Sequence, residues 1–151
     1  MVYRGSYAVV LALHLLTVVF LIGPLAVAAV TSPRAARAGD VGALRSAART
    51  SRLYALLTII PVLLGSAMVG LSGVGEQWGM GQLWVSASYA LWIIAVALTL
   101  GMVVPGQRAA VKALEAGRDA GGSANRIAAG GGLAMLAWTV IIVLMVVKPG
   151  A

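Results

Sequence analysis

The chain has 151 residues, of which 61% are hydrophobic and 10% are charged, and its mean hydropathy is +0.99. Soluble domains carry about 25% charged residues, so this composition excludes a water-exposed globule and indicates an integral membrane protein. The chain contains no cysteine, which excludes disulfides, thiolate metal sites and cysteine nucleophiles. The net charge of +7 does not indicate nucleic-acid binding, because the basic residues flank apolar segments, where membrane topology and anionic lipid explain them.

Four apolar segments are long enough to cross a bilayer as helices, since about 20 residues span a hydrocarbon core of about 30 Å. They cover residues 7–30, 53–74, 83–104 and 127–147. The sequence therefore predicts one all-α domain, a four-helix transmembrane bundle. Prolines are expected to shape these helices: Ser32-Pro33 ends the first, Pro61 kinks the second, and Pro105-Gly106 ends the third.

The two long connectors, residues 31–52 and 107–126, hold nine of the eleven Lys and Arg residues. By the positive-inside rule, both basic loops are predicted to be cytoplasmic and both termini external. Asp40 is expected to cap a helix that runs through the first connector into the second span. Tyr7, Trp78 and Trp84 are expected to form an aromatic belt at the external interface. The composition is typical of a bacterial protein, and the expected location is the cytoplasmic (inner) membrane.

Three arginines of the first connector, Arg45, Arg49 and Arg52, share one helical face. They are predicted to contact anionic lipid headgroups or an acidic partner. The expected partners are membrane lipids, a second copy of the chain, or a larger membrane complex.

His14 is the one residue in the four segments that titrates near neutral pH, and a polar residue at that depth is a candidate for a functional site. Thr17 shares its face, and Met68, Ser88 and Tyr89 are expected at a similar depth. One interpretation is a structural polar cluster of His14, Thr17, Ser88 and Tyr89, in which a neutral His14 bonds to the Ser88 or Tyr89 hydroxyl. A second is an axial ligand of haem b, with Met68 or another copy's His14 opposite. A third is a proton relay or a site shared with a partner protein.

The pattern of missing residues narrows the function further. No carboxylate lies inside any of the four segments, so proton-coupled exchange lacks an acid within the membrane. No Ser-His-Asp set, carboxylate pair or phosphate-binding loop can be assembled. The sequence therefore predicts no catalytic residue, no metal site and no enzyme.

The segment Leu13-His14-Leu15-Leu16-Thr17-Val18-Val19-Phe20-Leu21-Ile22-Gly23 and the ending Leu144-Met145-Val146-Val147-Lys148-Pro149 carry a family resemblance. The chain resembles a bacterial family of small four-span predicted integral membrane proteins, classed as a domain of unknown function. It is distantly similar to the membrane domain of copper-resistance D-type proteins, but it lacks their additional His and Met-rich pattern. The resemblance implies four spans and no established activity.

The leading functional prediction is a non-catalytic integral membrane protein, a small packing or accessory subunit of a membrane assembly, without a cofactor. One alternative is a haem-binding electron-transfer or sensing protein that uses His14, although four-helix b-type cytochromes usually supply two histidines per haem. Another alternative is a small transporter or channel.

Overall fold

The computed structural model describes residues 2–71, 79 and 81–149, with side chains from residue 5 onward. The described residues form a π-helical turn (Thr99–Val103) and six α-helices: α1 (Val2–Ala38), α2 (Val41–Leu57), α3 (Ile59–Leu71), α4 (Leu83–Leu98), α5 (Val104–Glu115) and α6 (Gly121–Val147). Four helical stretches are long and apolar enough to cross a membrane, namely Gly5–Ala38, Val41–Leu71, Leu83–Glu115 and Gly121–Val147. The predicted all-α architecture with four membrane-spanning helices is confirmed.

The bundle has two ends with different chemistry. Helix α1 packs against α2, α3 and α6, while α4 packs against α6 and α2 against α5. We call the end that holds the N-terminus of α1 and the C-terminus of α6 the terminal side. We call the opposite end the basic side, because the connectors 39–40 and 116–120 and the nine flanking Lys and Arg residues lie there.

The connectors on the basic side are tight turns. Gly39 and Gly117 have φ angles of +73° and +69°, a left-handed conformation that glycine adopts without steric cost. Asp40 caps α2 as the sequence predicts, since its side chain accepts a hydrogen bond from the Ala43 N–H at 2.9 Å. The first connector is therefore helical almost throughout, and the basic residues stand on rigid helical extensions.

Pro33 does not end the first helix, contrary to the sequence prediction, because α1 continues through it to Ala38. A proline inside a helix removes one backbone hydrogen bond, but unwinding the helix would free many more backbone groups near the apolar part of the membrane. The preceding Ser32 is buried, and its hydroxyl donates to the Ala28 carbonyl within the same helix. The helix therefore tolerates the proline and carries Arg34 and Arg37 beyond the apolar span.

Pro105 does not end the third span either, since helical structure continues through α5 to Glu115. The π-helical turn comes directly before it, and the Val104 N–H there bonds to the Thr99 carbonyl five residues earlier. A π-turn widens the helix, which makes room for a proline ring that clashes in a regular α-helix. The Gly101 carbonyl, which in a regular α-helix would face the missing N–H of Pro105, accepts a hydrogen bond from Arg126 Nη2 at 3.0 Å.

The second span is interrupted where the sequence predicts a kink. Helix α2 ends at Leu57 and α3 begins at Ile59, two residues before Pro61. The residue between them, Thr58, is fully buried, and its hydroxyl donates to the Ala55 carbonyl at 2.6 Å. Pro61 follows this break by three residues, and its carbonyl meets His14 of α1.

Two glycines of α6 let the helices approach closely. A Cβ atom at Gly130 would lie 2.7 Å from Met102 Cβ, and one at Gly131 would lie 3.3 Å from Ala29 Cβ. The contact between Ala29 and Gly131 joins α1 and α6 on the basic half of the bundle. Nearer the terminal side the same two helices line opposite parts of a cavity.

Candidate functional site

A cavity of about 270 Å³ lies among α1, α3, α4 and α6, toward the terminal side. Its lining is mainly aliphatic and aromatic, and the aromatic members are Tyr7, Trp84, Tyr89, Trp92 and Trp138. The polar side chains in the lining include His14, Thr58, Ser88 and Lys148. The cavity therefore combines apolar walls with a few polar groups, the arrangement that small-molecule sites usually have.

His14 is the central polar residue of this site, and its ring is held by α3. The side chain is 6% exposed, and Nδ1 lies 2.8 Å from the Pro61 carbonyl oxygen. A carbonyl can only accept, so Nδ1 carries a proton, and in the neutral imidazole Nε2 is left as an acceptor. No described residue supplies a hydrogen bond to Nε2. The fold thus fixes one ring nitrogen and leaves the other unpaired in the cavity wall.

Gly65 provides the space that the His14 ring needs. A Cβ atom at Gly65 would lie 3.3 Å from His14 Cε1 and 3.6 Å from His14 Nδ1. Since Pro61 and Gly65 are four residues apart on α3, they lie on one helical face. This face forms the seat for the imidazole.

The predicted hydrogen bond from His14 to Ser88 or Tyr89 is wrong, because the Pro61 carbonyl takes that place. Thr17 donates to the His14 carbonyl at 2.8 Å, and Ser88 donates to the Trp84 carbonyl at 2.7 Å, both within their own helices. A hydroxyl in a helix readily bonds to the carbonyl one turn earlier, so these two groups are satisfied locally. The cavity nevertheless gathers His14, Ser88 and Tyr89, together with Met68, whereas Thr17 is not among its lining residues.

Two side-chain hydrogen bonds connect α4 with the second span. The Tyr89 hydroxyl bonds to the Ser66 hydroxyl, and Trp92 Nε1 donates to Thr58 Oγ1 at 3.0 Å. A further indole, Trp138, is 5% exposed, and its Nε1 is buried without a hydrogen-bond partner among the described residues. Polar bridges therefore cross the cavity wall between α4 and the second span, and the described part of the wall contains one buried indole donor without an acceptor.

The expected aromatic belt is only partly testable. Trp84 is 7% exposed and lines the cavity, and its Nε1 donates to Gln82 Oε1 at 2.6 Å. Trp84 is thus a buried wall residue at the start of α4, and its position at the external interface stays a prediction. Tyr7 also lines the cavity, and Trp78 lies outside the described residues.

The opening of the cavity can be located from the exposure of its lining. Leu15 is 54% exposed, Ile142 45% and Val146 76%. These three belong to α1 and α6, whereas every described lining residue from α3 and α4 is buried or half-buried. Residues that form part of the wall and also face outward mark the rim of an opening. The cavity therefore opens between α1 and α6.

A second buried polar group lies closer to the basic side, and sequence analysis missed it. Gln107 is fully buried, and its Nε2 donates to Ser32 Oγ at 2.7 Å and to Ser51 Oγ at 3.1 Å, joining α5 to α1 and α2. Its Oε1 is buried without a hydrogen-bond partner in the described part of the chain. The sequence predicts that the third span ends at Pro105, which places Gln107 in a connector and gives no sign of its burial.

The arginines of α2 remain on the surface. Arg45 forms an ion pair with Glu115 of α5, and both side chains are exposed; such surface pairs stabilise a fold by about 0–1 kcal/mol. Arg49 and Arg52 are exposed as well. This distribution leaves the predicted lipid or partner contact untested.

Within the described residues, no three His, Asp or Glu side chains are grouped in a way that could hold a metal ion. His14 is the only histidine of the chain, so its chemistry is that of a single imidazole.

Neither a curated protein nor a solved structure matches the chain. The model of one protein family matches residues 8–149, which include the seat of His14, the π-turn and all four spans. That family is described as a predicted integral membrane protein, and the chain belongs to it: it is a member of the DUF2269 family.

Proposed function

We propose that this protein is a non-catalytic membrane protein that binds a small lipid-soluble molecule in the cavity on its terminal side. The observation that carries the proposal is the hydrogen bond from His14 Nδ1 to the Pro61 carbonyl. This bond leaves Nε2 as an acceptor without a partner, among the described residues, in the wall of an apolar space. A polar atom that faces an apolar space within a membrane raises the free energy of the folded state unless it finds a hydrogen bond, and a bound molecule with a donor would provide one.

The size of the cavity supports a small ligand. Its volume of about 270 Å³ lies near the lower end of the range of about 300–1,000 Å³ for small-molecule sites. Aromatic walls pack well against a flat ring, since indole and phenol faces offer large contact areas. A ligand with one ring suits this space better than a macrocycle does.

The orientation of the chain remains part of the proposal. The positive-inside rule favours a cytoplasmic basic side, which would put the cavity in the external leaflet of a bacterial inner membrane. Because the chain has no cysteine, single cysteines at Ser46 on the basic side and at Pro149 on the terminal side report the orientation. A membrane-impermeant maleimide should label Pro149→Cys and spare Ser46→Cys in intact cells, and the opposite pattern would reverse the assignment.

A second candidate function is the binding of haem b, and one observation favours it. A histidine that ligates iron usually donates its other ring N–H to a carbonyl or carboxylate, and His14 makes such a bond to Pro61. Met68 lines the same cavity and could serve as the second axial ligand. The small volume weighs against a macrocycle. An absorption spectrum of the protein in native membrane discs tests whether haem is bound. Bound haem would give a Soret band, and His14→Ala would abolish it.

The other predicted roles stay predictions. A ligand-binding protein could also be an accessory subunit of a larger membrane complex, and the exposed apolar faces of α1 and α6 suit either lipid or protein neighbours. A transporter or channel has less support. The core beneath the cavity is filled by buried side chains such as Leu25, Ala55 and Ala95, which favours a site closed toward the basic side.

The proposed function is tested by identifying what the cavity retains. The protein is extracted from its own host in native bilayer discs, and small molecules are quantified by mass spectrometry after organic extraction. Val62→Trp fills the cavity, because Val62 is one of its lining residues. Leu63→Trp is the matched control, since Leu63 is 61% exposed and is not among the lining residues.

A molecule that is stoichiometric in the wild type and in Leu63→Trp, and lost in Val62→Trp, supports the proposal. Equal retention in all three proteins contradicts it. His14→Asn provides a second variant in case the added indole prevents folding, because Asn keeps a donor for the Pro61 carbonyl and lacks Nε2.

A further inference from the structure

We infer that the ligand is a lipid-soluble phenol or quinol whose hydroxyl donates to His14 Nε2 and whose alkyl tail leaves the cavity between α1 and α6. The inference rests on the proposed binding function and names the class of molecule that the site selects. Three features carry it: the protonation state of His14, the chemistry of the wall, and the position of the opening.

The protonation state of His14 determines whether the headgroup of the ligand must donate or accept a hydrogen bond. Because Nδ1 donates to Pro61 at 2.8 Å, Nε2 can only accept, and the ligand must bring a donor. The described lining contains no carboxylate, and its one charged residue is Lys148. A cationic donor such as an ammonium would therefore lack a counter-charge, which favours a neutral donor, and a hydroxyl is the neutral donor that we propose.

The wall supports a ring that carries this hydroxyl. Trp84, Trp92 and Trp138 line the cavity, and aromatic faces pack favourably against one another. Trp138 Nε1 is also buried without an acceptor among the described residues. A second oxygen on the ring, as in a quinol, is the kind of acceptor that this indole lacks.

The opening between α1 and α6 accommodates a tail. Counted from the contact of Ala29 with Gly131 at about 1.5 Å per residue, Leu15 and Val146 lie about 21 and 22 Å along their helices. The two residues therefore stand at matched heights on either side of the opening, within the apolar segments. On the α3–α4 side the Tyr89–Ser66 hydrogen bond crosses the cavity wall, and the described lining residues of both helices are buried or half-buried. A headgroup at His14 can thus be continuous with a chain that lies in the bilayer.

The headgroup is tested with two matched probes, 2-bromo-4-decylphenol and its methyl ether, which lacks the donor. Three of the four tryptophans line the cavity, so quenching of their fluorescence by bromine reports occupancy in lipid nanodiscs. One hydrogen bond contributes about 1 kcal/mol, and we expect the phenol to bind about fivefold to tenfold more tightly than the ether. His14→Asn should lower the affinity for the phenol to that for the ether and leave the ether unaffected.

The exit is tested with single cysteines, since the chain has none of its own. Leu15→Cys modified with a benzyl methanethiosulfonate should slow quenching by the phenol markedly, because the added ring narrows the opening. Val19→Cys with the same modification is the control, because Val19 is 68% exposed on α1 and is not a lining residue. Equal rates for the two modified proteins would overturn the lateral exit.

The outcomes separate this inference from the proposed function. Saturable quenching that is equal for phenol and ether, and unchanged by His14→Asn, would overturn the phenol inference while the cavity still binds ligands. The absence of saturable quenching by either probe, in a protein that melts cooperatively, would overturn the inference, and the mass spectrometric comparison would then decide the proposed function by itself.

Discussion

Arg126 donates a hydrogen bond from its guanidinium to the backbone carbonyl of Gly101 at 3.0 Å. In a regular α-helix that carbonyl would face the N–H of the residue four positions later, which is Pro105 and has none. A side chain of α6 thus supplies the donor that the backbone of the third span lacks. The pairing helps to explain why the helix continues through Pro105 instead of ending there.

This relationship predicts a coupling between Arg126 and Pro105. We expect Arg126→Met to lower the free energy of unfolding by about 1 kcal/mol, the usual contribution of one hydrogen bond. The loss should be smaller in a Pro105→Ala background, where residue 105 regains its N–H. Titration with sodium dodecyl sulfate in mixed micelles measures all four proteins of this cycle. Arg118→Met controls for the loss of charge, and strictly additive effects would refute the coupling.

Substitution of Gly65 should disturb His14 selectively. Gly65→Ala places a methyl group 3.3 Å from His14 Cε1, which is tighter than ordinary contact, so we expect the ring to shift and its bond to the Pro61 carbonyl to lengthen. Because His14 is the only histidine, ¹⁵N-histidine labelling gives an NMR spectrum that needs no assignment. The wild type should show a protonated Nδ1 and an unprotonated Nε2.

The matched control for this prediction is Gly70→Ala on the same helix. A Cβ atom at Gly70 meets no atom of the described residues within 4 Å, and the substitution should leave both imidazole signals in place. Identical spectra for Gly65→Ala and the wild type would show that the seat is looser than the structure indicates.

The buried amide of Gln107 gives a third prediction. Gln107→Ala should destabilise the fold by about 2 kcal/mol or more, because it leaves a cavity at a fully buried position and removes the donor to Ser32 and Ser51. Gln107→Met should cost less, since it fills a similar volume and also removes Oε1, which has no hydrogen-bond partner among the described residues. Unfolding in mixed micelles gives the free energy of unfolding of both variants. Equal losses would show that Gln107 stabilises the fold through its hydrogen bonds alone and not through the volume it fills.

The glycine run of α6, residues 130–132, gives a fourth prediction. Gly130→Ala would place a methyl group 2.7 Å from Met102 Cβ, and overpacking of this kind costs about 1–3 kcal/mol. Gly132→Ala is the internal control, because a Cβ atom there would have no atom of the described residues within 4 Å; it should be neutral or should stabilise α6 by up to about 1 kcal/mol. Thermal unfolding should therefore show a lower midpoint for Gly130→Ala alone, and equal destabilisation would contradict the close approach of α6 to the π-turn.

Sequence reasoning reached the architecture because hydropathy and segment length dominate the folding of a chain in a membrane. The four spans and the cap at Asp40 follow from local patterns of this kind. The ends of the helices do not follow from local patterns. Pro33 and Pro105 act as terminators in water, but the π-turn and the donor from Arg126 depend on neighbours that are distant in sequence.

The candidate site was also predictable only in part from the sequence. Depth counting brought His14, Met68, Ser88 and Tyr89 to one level, and the structure places all four on one cavity. The partner of His14 could not be predicted, because every residue carries a backbone carbonyl and the sequence does not indicate which of them meets the imidazole. Gln107 was missed since its burial depends on a helix that continues past Pro105.

The short connectors on the basic side have a consequence for encounters with charged surfaces. Arginines on a mobile loop must give up backbone freedom when they settle on an anionic surface, at a free-energy cost of about 1–2 kcal/mol for each residue that becomes ordered. Here Arg45, Arg49 and Arg52 already stand on α2, and the turn at Gly39 and Asp40 holds that helix against α1. If an anionic surface bound there, only side-chain rotamers would remain to be fixed, because the backbone already sets the spacing of these charges.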